Sequence, residues 1–211
     1  PLVHPGREEG NILSRGLMEK GDALAALETC EVVVAGRFET PMQEHAFLEP
    51  PNGLARMAPS GVLDMTVSTQ APFRDRFEIA HALGLDAGRI RVRAPYLGGG
   101  FGGKDGATVQ CLLALAAVRV PGRWIKMDWS REETFLAGYK RHAAIVEVRL
   151  GADANGALRA LNCIMHFDAG AYAHLSTEIM ALGMEHAGGP YRIPNARIEG
   201  LCAYTNNPVG G

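Results

Sequence analysis

Five glycines and one phenylalanine lie together in residues 98–105, GGGFGGKD, which we call the glycine loop. Glycine has no Cβ, so the backbone can adopt positive φ and bring its N–H groups close to a ligand. A helix predicted over residues 107–118 follows, and the partial positive charge at a helix start favours anions. The glycine loop therefore predicts a site for an anionic or oxygen-bearing ligand, although glycine clusters also serve tight backbone packing.

Several common catalytic patterns do not fit this sequence. Lys104 is followed by Asp105 instead of Ser or Thr, so the glycine loop is not a Walker A motif. The acidic residue that ends the next strand in dinucleotide-binding folds is also lacking after this loop. No Ser or Cys occupies a G-x-S-x-G elbow, which gives hydrolase chemistry no support. By position alone, Asp105 could equally cap the following helix, and Gln70 could be a surface glutamine at the end of a strand.

Glu44, His45 and Glu49 lie close together in sequence and could be considered metal ligands. A single histidine beside acids in a partly apolar segment is more often a hydrogen-bonded structural residue, and further ligands are lacking nearby in the sequence. The structural interpretation is therefore favoured over a metal site in this segment.

The four cysteines are widely separated and form no C-x-x-C pair, so the pattern predicts neither a zinc nor an iron–sulfur site, and no disulfide framework. This distribution favours a reducing compartment, the cytoplasm. They are Cys30, Cys111, Cys163 and Cys202.

The composition is that of a globular protein, with 47% hydrophobic and 21% charged residues in a chain of 211. The net charge of -2 and the lack of a basic run give no reason to expect nucleic acid as a partner. The longest apolar stretch, residues 111–118, is far shorter than the roughly 20 residues that a membrane span needs. Because the sequence opens without methionine and ends in a turn-like run, we expect a piece of a longer protein.

The elements that must position these residues follow from periodicity and capping. Residues 1–21 are predicted to be a linker and 50–61 a loop. Helices are predicted for residues 22–28, with Asp22 as N-cap, for 72–83, with Gly84 as the stop, and for 107–118 and 174–187, with a short helix after a Ser130–Glu133 capping box. Leu63, Met65 and Val67 recur at every second position, as in a half-buried strand. Strands are predicted for residues 30–40, 62–68, 89–94, 123–129, 142–151, 157–168 and 198–205. Strands and helices mix without a regular βαβ rhythm, which indicates an α+β fold.

Four segments occur in an order that resembles a known family. They are QEHAFLEP at 43–50, VSTQ at 67–70, GGGFGGKD at 98–105, and YRIPN at 191–195 with YTN at 204–206. Together they resemble the molybdopterin-binding part of molybdenum hydroxylases of the xanthine dehydrogenase and aldehyde oxidase type. The resemblance implies mixed sheets with packed helices, as in the first molybdopterin-binding domain of that family. Residues 22–211 would form part of this domain, truncated at its C-terminus.

The family resemblance implies an oxidoreductase that hydroxylates a purine-like heterocycle or an aldehyde with oxygen derived from water. Its cofactor would be molybdenum-molybdopterin, either as the simple pterin or as the cytosine dinucleotide. Electrons would leave through 2Fe-2S clusters toward FAD, carried on other domains or subunits. The intact enzyme would be an oligomer in the cytoplasm.

The resemblance also implies roles for individual residues. Gln70 matches the glutamine beside the molybdenum, whose amide donates to an oxygen ligand of the metal. Phe101 and Gly102 match positions that approach the metal with backbone N–H groups, near it but without ligating it. Gly99 and Gly100 belong to the same cofactor-binding loop.

Two positions bear on the substrate. Asp105 stands where xanthine-oxidising members carry a glutamate that binds the purine, and its side chain is one methylene shorter. Leu182 stands near the position of a substrate-facing arginine and is apolar. A neutral heterocycle or an aldehyde is therefore as well supported as a purine. Lys104 is expected to be structural, and the general base is expected beyond Gly211, so we expect the isolated chain to be inactive.

Two other hypotheses remain at this point. In one, the chain is a non-catalytic module whose glycine loop binds a phosphate or nucleotide. In the other, it is a purely structural or interaction piece, for which Gln70 and Phe101 would be dispensable.

Overall fold

The computed structural model describes residues 1–211. Its strands are β1 (Ile12–Lys20), β2 (Val32–Thr40), β3 (Gln43–Glu44), β4 (Asn52–Met57), β5 (Leu63–Val67), β6 (Ile90–Arg93), β7 (Ile125–Asp128), β8 (Lys140–Arg141), β9 (Ala144–Ala152), β10 (Leu158–Gly170) and β11 (Asn195–Tyr204). Its helices are α1 (Ala23–Glu28), α2 (Pro72–Leu83), α3 (Gln110–Arg119), α4 (Arg131–Ala137) and α5 (Ser176–His186), with a 3-10 turn at Ala87–Arg89. None of these helices is both long and apolar enough to cross a lipid bilayer.

The chain divides into two compact units. Unit 1 comprises Pro1–Gln43 and His142–Gly211, and unit 2 comprises Glu44–Arg141. The sequence predicted a single domain from residue 22, and this division was not visible in it. Contacts between sequence-distant segments define the units, because unit 2 is inserted between the two parts of unit 1.

Unit 1 is built on a five-stranded mixed sheet in the order β1-β11-β10-β9-β2. Strands β10 and β11 are parallel, and the other pairs are antiparallel. Helices α1 and α5 pack on this sheet. The core between α5 and the sheet includes Met165, Met180, Met184 and Cys202.

Unit 2 contains a four-stranded mixed sheet in the order β6-β5-β4-β7, with α2 and α3 packed against each other and α3 against β4. Every second residue of β5, namely Leu63, Met65 and Val67, is buried, which confirms the alternation predicted for this strand. Ile79 of α2 and Leu113 of α3 are fully buried in the same core. Strand β5 carries the chain directly toward Gln70.

The local signals in the sequence correspond to observed caps and turns. Asp22 accepts a hydrogen bond from the Ala25 N–H and caps α1. Both hydrogen bonds of the capping box between Ser130 and Glu133 are present. Gly84 ends α2 with a left-handed φ of 64°, and the mixed α+β architecture is as predicted.

Several predicted boundaries were wrong, among them the start of the last strand, which begins at Asn195 instead of residue 198. Residues 12–20 are not linker but form β1, an edge strand whose hydrogen bonds to β11 stabilise it without an alternating buried face. Residues 52–57 of the predicted loop form β4, which pairs with β5 and β7, and the lack of a side chain at Gly53 leaves room for Val67 of β5. Helix α3 begins at Gln110, three residues later than predicted, because the Gln110 side chain accepts a hydrogen bond from the Thr108 N–H ahead of the first turn.

Candidate functional site

Gln70 and the glycine loop meet in unit 2. Gln70 follows β5, and its backbone N–H donates to the Lys104 carbonyl at 2.9 Å. Its side-chain Oε1 accepts hydrogen bonds from the N–H groups of Gly102, at 3.0 Å, and Lys104, at 3.2 Å. The structure thus brings together two features that lie about thirty positions apart in sequence.

The two bonds to Oε1 determine the orientation of the Gln70 amide. Backbone N–H groups can only donate, so the atom that they contact must be the oxygen, and the NH₂ group points away from them. Gln70 is exposed, and its Nε2 donates to no acceptor within the chain. The side chain therefore presents two oriented donors that can bind an oxygen atom of a ligand.

The glycine loop is a series of tight turns in which Gly103 N–H donates to Gly100 and Asp105 N–H to Gly102. Gly102 has a φ of 97°, a conformation that strongly favours glycine. A Cβ on Gly100 would lie 2.2 Å from the Gln70 Oε1, so this glycine is required for the close approach of the two segments.

Phe101 adopts an unusual conformation at the tip of the loop. Its φ is 53°, in the left-handed region that costs a non-glycine residue about 1–3 kcal/mol, and its side chain is 75% exposed. Its N–H has no acceptor within the chain. Backbone strain of this kind clusters at ligand-binding and active sites, so the conformation of Phe101 marks it as a candidate site residue.

The structure modifies two expectations about the loop. The N–H of Gly102 donates to Gln70, so within this chain it is not free for a ligand, whereas that of Phe101 is. The start of α3 at Gln110 lies beyond the loop, so the N–H groups of its first turn are not those of the glycine loop. The helix-dipole argument made from the sequence therefore does not apply to the loop itself.

Glu49 connects the loop to its surroundings through a single carboxylate. Burial disfavours its ionisation, but hydrogen bonds outweigh this effect and lower the pKa of Glu49 to about 2. The donors to Oε2 are Gly98 N–H at 2.8 Å, Ser68 Oγ at 2.9 Å and Lys104 Nζ at 3.1 Å, and Asn52 Nδ2 donates to Oε1 at 3.1 Å.

Lys104 is fully buried and serves a structural purpose, as expected from the sequence. Its Nζ donates to the Glu49 carbonyl at 2.6 Å and lies 4.5 Å from the centre of the Phe47 ring. Burial lowers the pKa of Lys104, and the hydrogen bond and charge of Glu49 oppose that shift. Because its ammonium group is occupied and buried, Lys104 does not present a charge to an external phosphate.

Asp105 lies at the end of the loop beside Arg74 of α2. The Arg74 Nη1 donates to the Asp105 carbonyl at 3.0 Å and lies 3.5 Å from its Oδ1. Both side chains are about one-third exposed, at 32% for Asp105 and 40% for Arg74. Asp105 precedes Gln110 by five residues and is not the N-cap of α3, which is Val109, so the helix-capping interpretation was wrong.

A buried carboxyl lies in the first turn of α2, five residues after Gln70. Asp75 is fully buried and accepts a hydrogen bond from Gln110 Nε2 at 3.1 Å. Burial raises the pKa of Asp75, opposed by hydrogen bonds from Thr69 and Gln110, while the charges of Glu78 and Asp105 raise it further.

Of the three residues of the possible metal cluster, the two carboxylates pair with lysines, whereas the buried His45 Nδ1 has no hydrogen-bond partner, so the hydrogen bond expected for a structural histidine is absent at this atom. Glu44 Oε2 lies 2.7 Å from Lys140 Nζ, and Glu49 is bonded to Lys104 as described above. His45 lies against Gly103, where an added Cβ would be 2.7 Å from Nδ1. The two carboxylates thus neutralise buried lysines, which supports the structural interpretation of this segment.

Glu49 was missed as a site residue by reasoning from the sequence. The available signal was Lys104, a charged residue next to a glycine-rich turn and an apolar segment, which would need an anionic partner if it were buried. The sequence did not indicate which carboxylate would supply that charge, because many acids lie within reach of an unfolded loop.

The profile of the molybdopterin cofactor-binding domain matches residues 3–211, almost the whole chain. The chain belongs to this family. It is the domain found in molybdenum hydroxylases of the xanthine dehydrogenase and aldehyde oxidase type, which confirms the resemblance inferred from the four segments.

Individual relatives support the same assignment of this molybdopterin-binding chain. It is 37% identical over 204 residues to a probable xanthine dehydrogenase subunit of Bacillus subtilis, covering 97% of the chain and 27% of that protein. It is 38% identical over 211 residues to the nicotinate dehydrogenase large molybdopterin subunit of Eubacterium barkeri, covering 100% and 49%. The aldehyde oxidoreductase of Desulfovibrio gigas superposes with a TM-score of 0.92 at 27% identity, covering 98% of the chain and 23% of that structure. The chain thus spans less than half the length of each.

Proposed function

We propose that Gln70 and the glycine loop of this molybdopterin-binding chain hold a molybdenum-molybdopterin cofactor for the hydroxylation of a heterocycle or an aldehyde. The observation that carries the proposal is the orientation of the Gln70 amide, whose oxygen is held by Gly102 and Lys104 so that both Nε2 hydrogens face outward. A neutral donor of this kind suits an oxygen-rich, anionic metal centre because it binds oxygen without adding charge.

The residues of the loop fit such a group. Gly99 and Gly100 lack side chains where a Cβ would contact Phe47, at 3.1 Å, or Gln70. The Phe101 N–H is available as a further donor, and its exposed ring can pack against a bound molecule. We therefore assign Gln70, Gly99, Gly100, Phe101 and Gly102 to cofactor binding, with Gly102 acting through the orientation of Gln70.

When bound, the cofactor supplies a molybdenum that accepts two electrons and provides oxygen derived from water. The protein residues bind and orient: Gln70 donates to an oxygen of the group, and Phe101 limits access on its side. Asp105 is proposed to contact the substrate, and its pairing with Arg74 means that a guanidinium lies beside that contact. No general base is assigned within residues 1–211.

The glycine loop and Gln70 are open to solvent, which limits the activity that the isolated chain can have. Phe101 is 75% exposed and Gln70 is exposed, so further protein is required to exclude water from a reacting centre here. We propose that the isolated chain does not turn over substrate. In the intact enzyme, 2Fe-2S and FAD on other domains or subunits would carry the electrons onward in an oligomeric assembly.

Two finer assignments rest on the family and on composition. The pterin is proposed to be present either in its simple form or as the cytosine dinucleotide. All four cysteines are free, which supports a reducing location such as the cytoplasm.

The phosphate-binding alternative has little support in the geometry. The N–H groups of Gly102, Gly103, Lys104 and Asp105 all donate within the chain, and Lys104 Nζ is bonded to Glu49. A phosphate loop needs several free N–H groups and an available cation. The N–H groups of Gly99, Gly100 and Phe101 donate to no acceptor within the chain, but the cation of the loop, Lys104 Nζ, is already bonded to Glu49 and is not available to a phosphate.

The proposal is tested by analysing metal and pterin in the intact protein expressed with cofactor biosynthesis. We expect molybdenum and pterin at about one per chain, and a loss of activity in Gln70→Ala and Phe101→Ala. Protein that contains neither molybdenum nor pterin would refute the assignment. Full activity in both variants would instead support a purely structural chain.

A further inference from the structure

One carboxylate joins both ends of the glycine loop to the strand end that carries Gln70. Glu49 Oε2 accepts from Gly98, the first residue of the loop, from Lys104 near its end, and from Ser68 after β5. We propose that Glu49 is the positioning residue that holds the glycine loop and Gln70 in the geometry that binds the cofactor. This inference rests on the proposed function of the loop.

The glycine loop has few side chains of its own with which to hold a conformation. Glycine loses more conformational entropy on folding than any other residue type. A loop with five glycines therefore needs contacts with other segments to stay in one conformation. Glu49 makes two such contacts with Gly98: its carboxylate accepts from the Gly98 N–H, and its backbone N–H donates to the Gly98 carbonyl at 3.1 Å. The loop is thereby fixed at its first residue by both the main chain and the side chain of Glu49.

The second contact runs through Lys104 to Gln70. Lys104 Nζ is fully buried with Glu49 as its only anionic partner within 4.0 Å, and a buried ammonium without an anion is strongly unfavourable. The backbone N–H of the same Lys104 donates to Gln70 Oε1. Glu49 thus holds the lysine whose main chain orients the Gln70 amide.

Glu49→Gln is the informative substitution because it keeps the size of the side chain. In one orientation its NH₂ group faces the donors Gly98, Ser68 and Lys104, and in the other it faces Asn52 Nδ2, so at least one donor loses its acceptor. Asp64→Asn is the matched control: Asp64 Oδ1 pairs with Arg93 at 2.9 Å in the same unit, and neither residue contacts the loop.

A second variant leaves every charge in place. A Cβ on Gly98 would lie 2.4 Å from the Glu49 Cβ, so Gly98→Ala displaces the loop from Glu49 by steric contact alone. It tests the same relationship if the charge variant is poorly folded.

The experiment measures amide hydrogen exchange in residues 98–105 and molybdenum content in the intact protein. We expect exchange in the loop to be about five- to ten-fold faster in Glu49→Gln and Gly98→Ala, as for the loss of one hydrogen bond, with unchanged exchange in Asp64→Asn. We also expect the molybdenum content of both loop variants to fall, with kcat reduced more than KM is raised in the molecules that retain metal.

Unchanged exchange in the loop of both variants overturns the positioning role, whatever the metal content. Faster exchange with full molybdenum content and normal kcat shows that Glu49 orders the loop without serving the cofactor, and also overturns the proposal. Wild-type protein without molybdenum refutes the proposed function instead, and the exchange data then report on the loop alone.

Discussion

Gln70 and Lys104 form a reciprocal pair: the Gln70 backbone N–H donates to the Lys104 carbonyl at 2.9 Å, and the Lys104 N–H donates to the Gln70 Oε1 at 3.2 Å. The main chain and the side chain of Gln70 are therefore held by the same residue. A side chain fixed in this way loses little further entropy when it binds a ligand, which favours binding.

Gln70→Glu separates the two roles of this side chain. A carboxylate can still accept from Gly102 and Lys104, but it cannot donate to a ligand oxygen and it adds a negative charge. We expect the fold to be retained and kcat/KM of the intact enzyme to fall by about ten- to a hundred-fold or more, as for a lost hydrogen bond to the reacting group. Steady-state kinetics with molybdenum content measured on the same samples checks this. A glutamate variant as active as wild type would exclude donation by Gln70.

Gly100→Ala tests the close approach of the loop to Gln70. The new Cβ would lie 2.2 Å from Oε1 and must displace the amide, so we expect reduced molybdenum content and activity without global unfolding. Metal analysis and circular dichroism measure the two effects. Gly188→Ala is the control, because nothing lies within 4 Å of its Cβ position. Equal metal content in both variants would contradict the predicted displacement.

Asp105→Ala is expected to lower kcat/KM for a heterocyclic substrate by about ten- to a hundred-fold through a lost hydrogen bond. Arg74→Met removes the partner of Asp105 and leaves its carboxylate in place, so its effect should be smaller. Kinetics of the two variants and of the double variant give the coupling between them. If Arg74→Met reduces kcat/KM as much as Asp105→Ala does, the pair is structural and Asp105 does not contact the substrate directly.

Glu49 should make stability depend on acid pH. Its pKa is lowered from the ordinary 4.5 to about 2, so the unfolded chain binds more protons at this group between these values. The stability that Glu49 contributes is complete above about pH 4.5 and is lost as the pH falls toward 2. Denaturant unfolding across this range should show a shallower pH dependence for Glu49→Gln than for wild type. Parallel curves would show that the carboxylate is not ionised in the folded state as described.

Asp75 should affect the pH dependence of stability in the direction opposite to Glu49. Burial raises its pKa, so ionisation of Asp75 costs stability in the folded state as the pH rises above the ordinary 3.8. Asp75→Asn keeps an acceptor for Gln110 and removes that cost, so we expect Tm at about pH 7 to 8 to rise by a few degrees and the gain to shrink near pH 4. Thermal unfolding at both pH values measures this. If the gain in Tm of Asp75→Asn over wild type is smaller at about pH 7 to 8 than near pH 4, the buried-charge argument is contradicted.

The sequence by itself was sufficient for elements whose signals are local. The Asp22 and Ser130 caps, the stop at Gly84 and the alternation in β5 each depend on residues within one turn or one strand. Edge strand β1 was missed for the opposite reason, since hydrogen bonds to the distant β11 define it. The four family segments were recognisable because the identities of their residues, more than their contacts, carry the resemblance.

Only the tertiary structure decided how the site is assembled. The sequence indicated that Gln70 and the glycine loop belong together. It did not show that the loop N–H groups orient the Gln70 amide, or that the pair formed by Glu49 and the buried Lys104 holds both segments. The physical reason is that these contacts join residues 32 to 55 positions apart. Their formation depends on desolvation and packing in the folded chain, which local spacing does not encode.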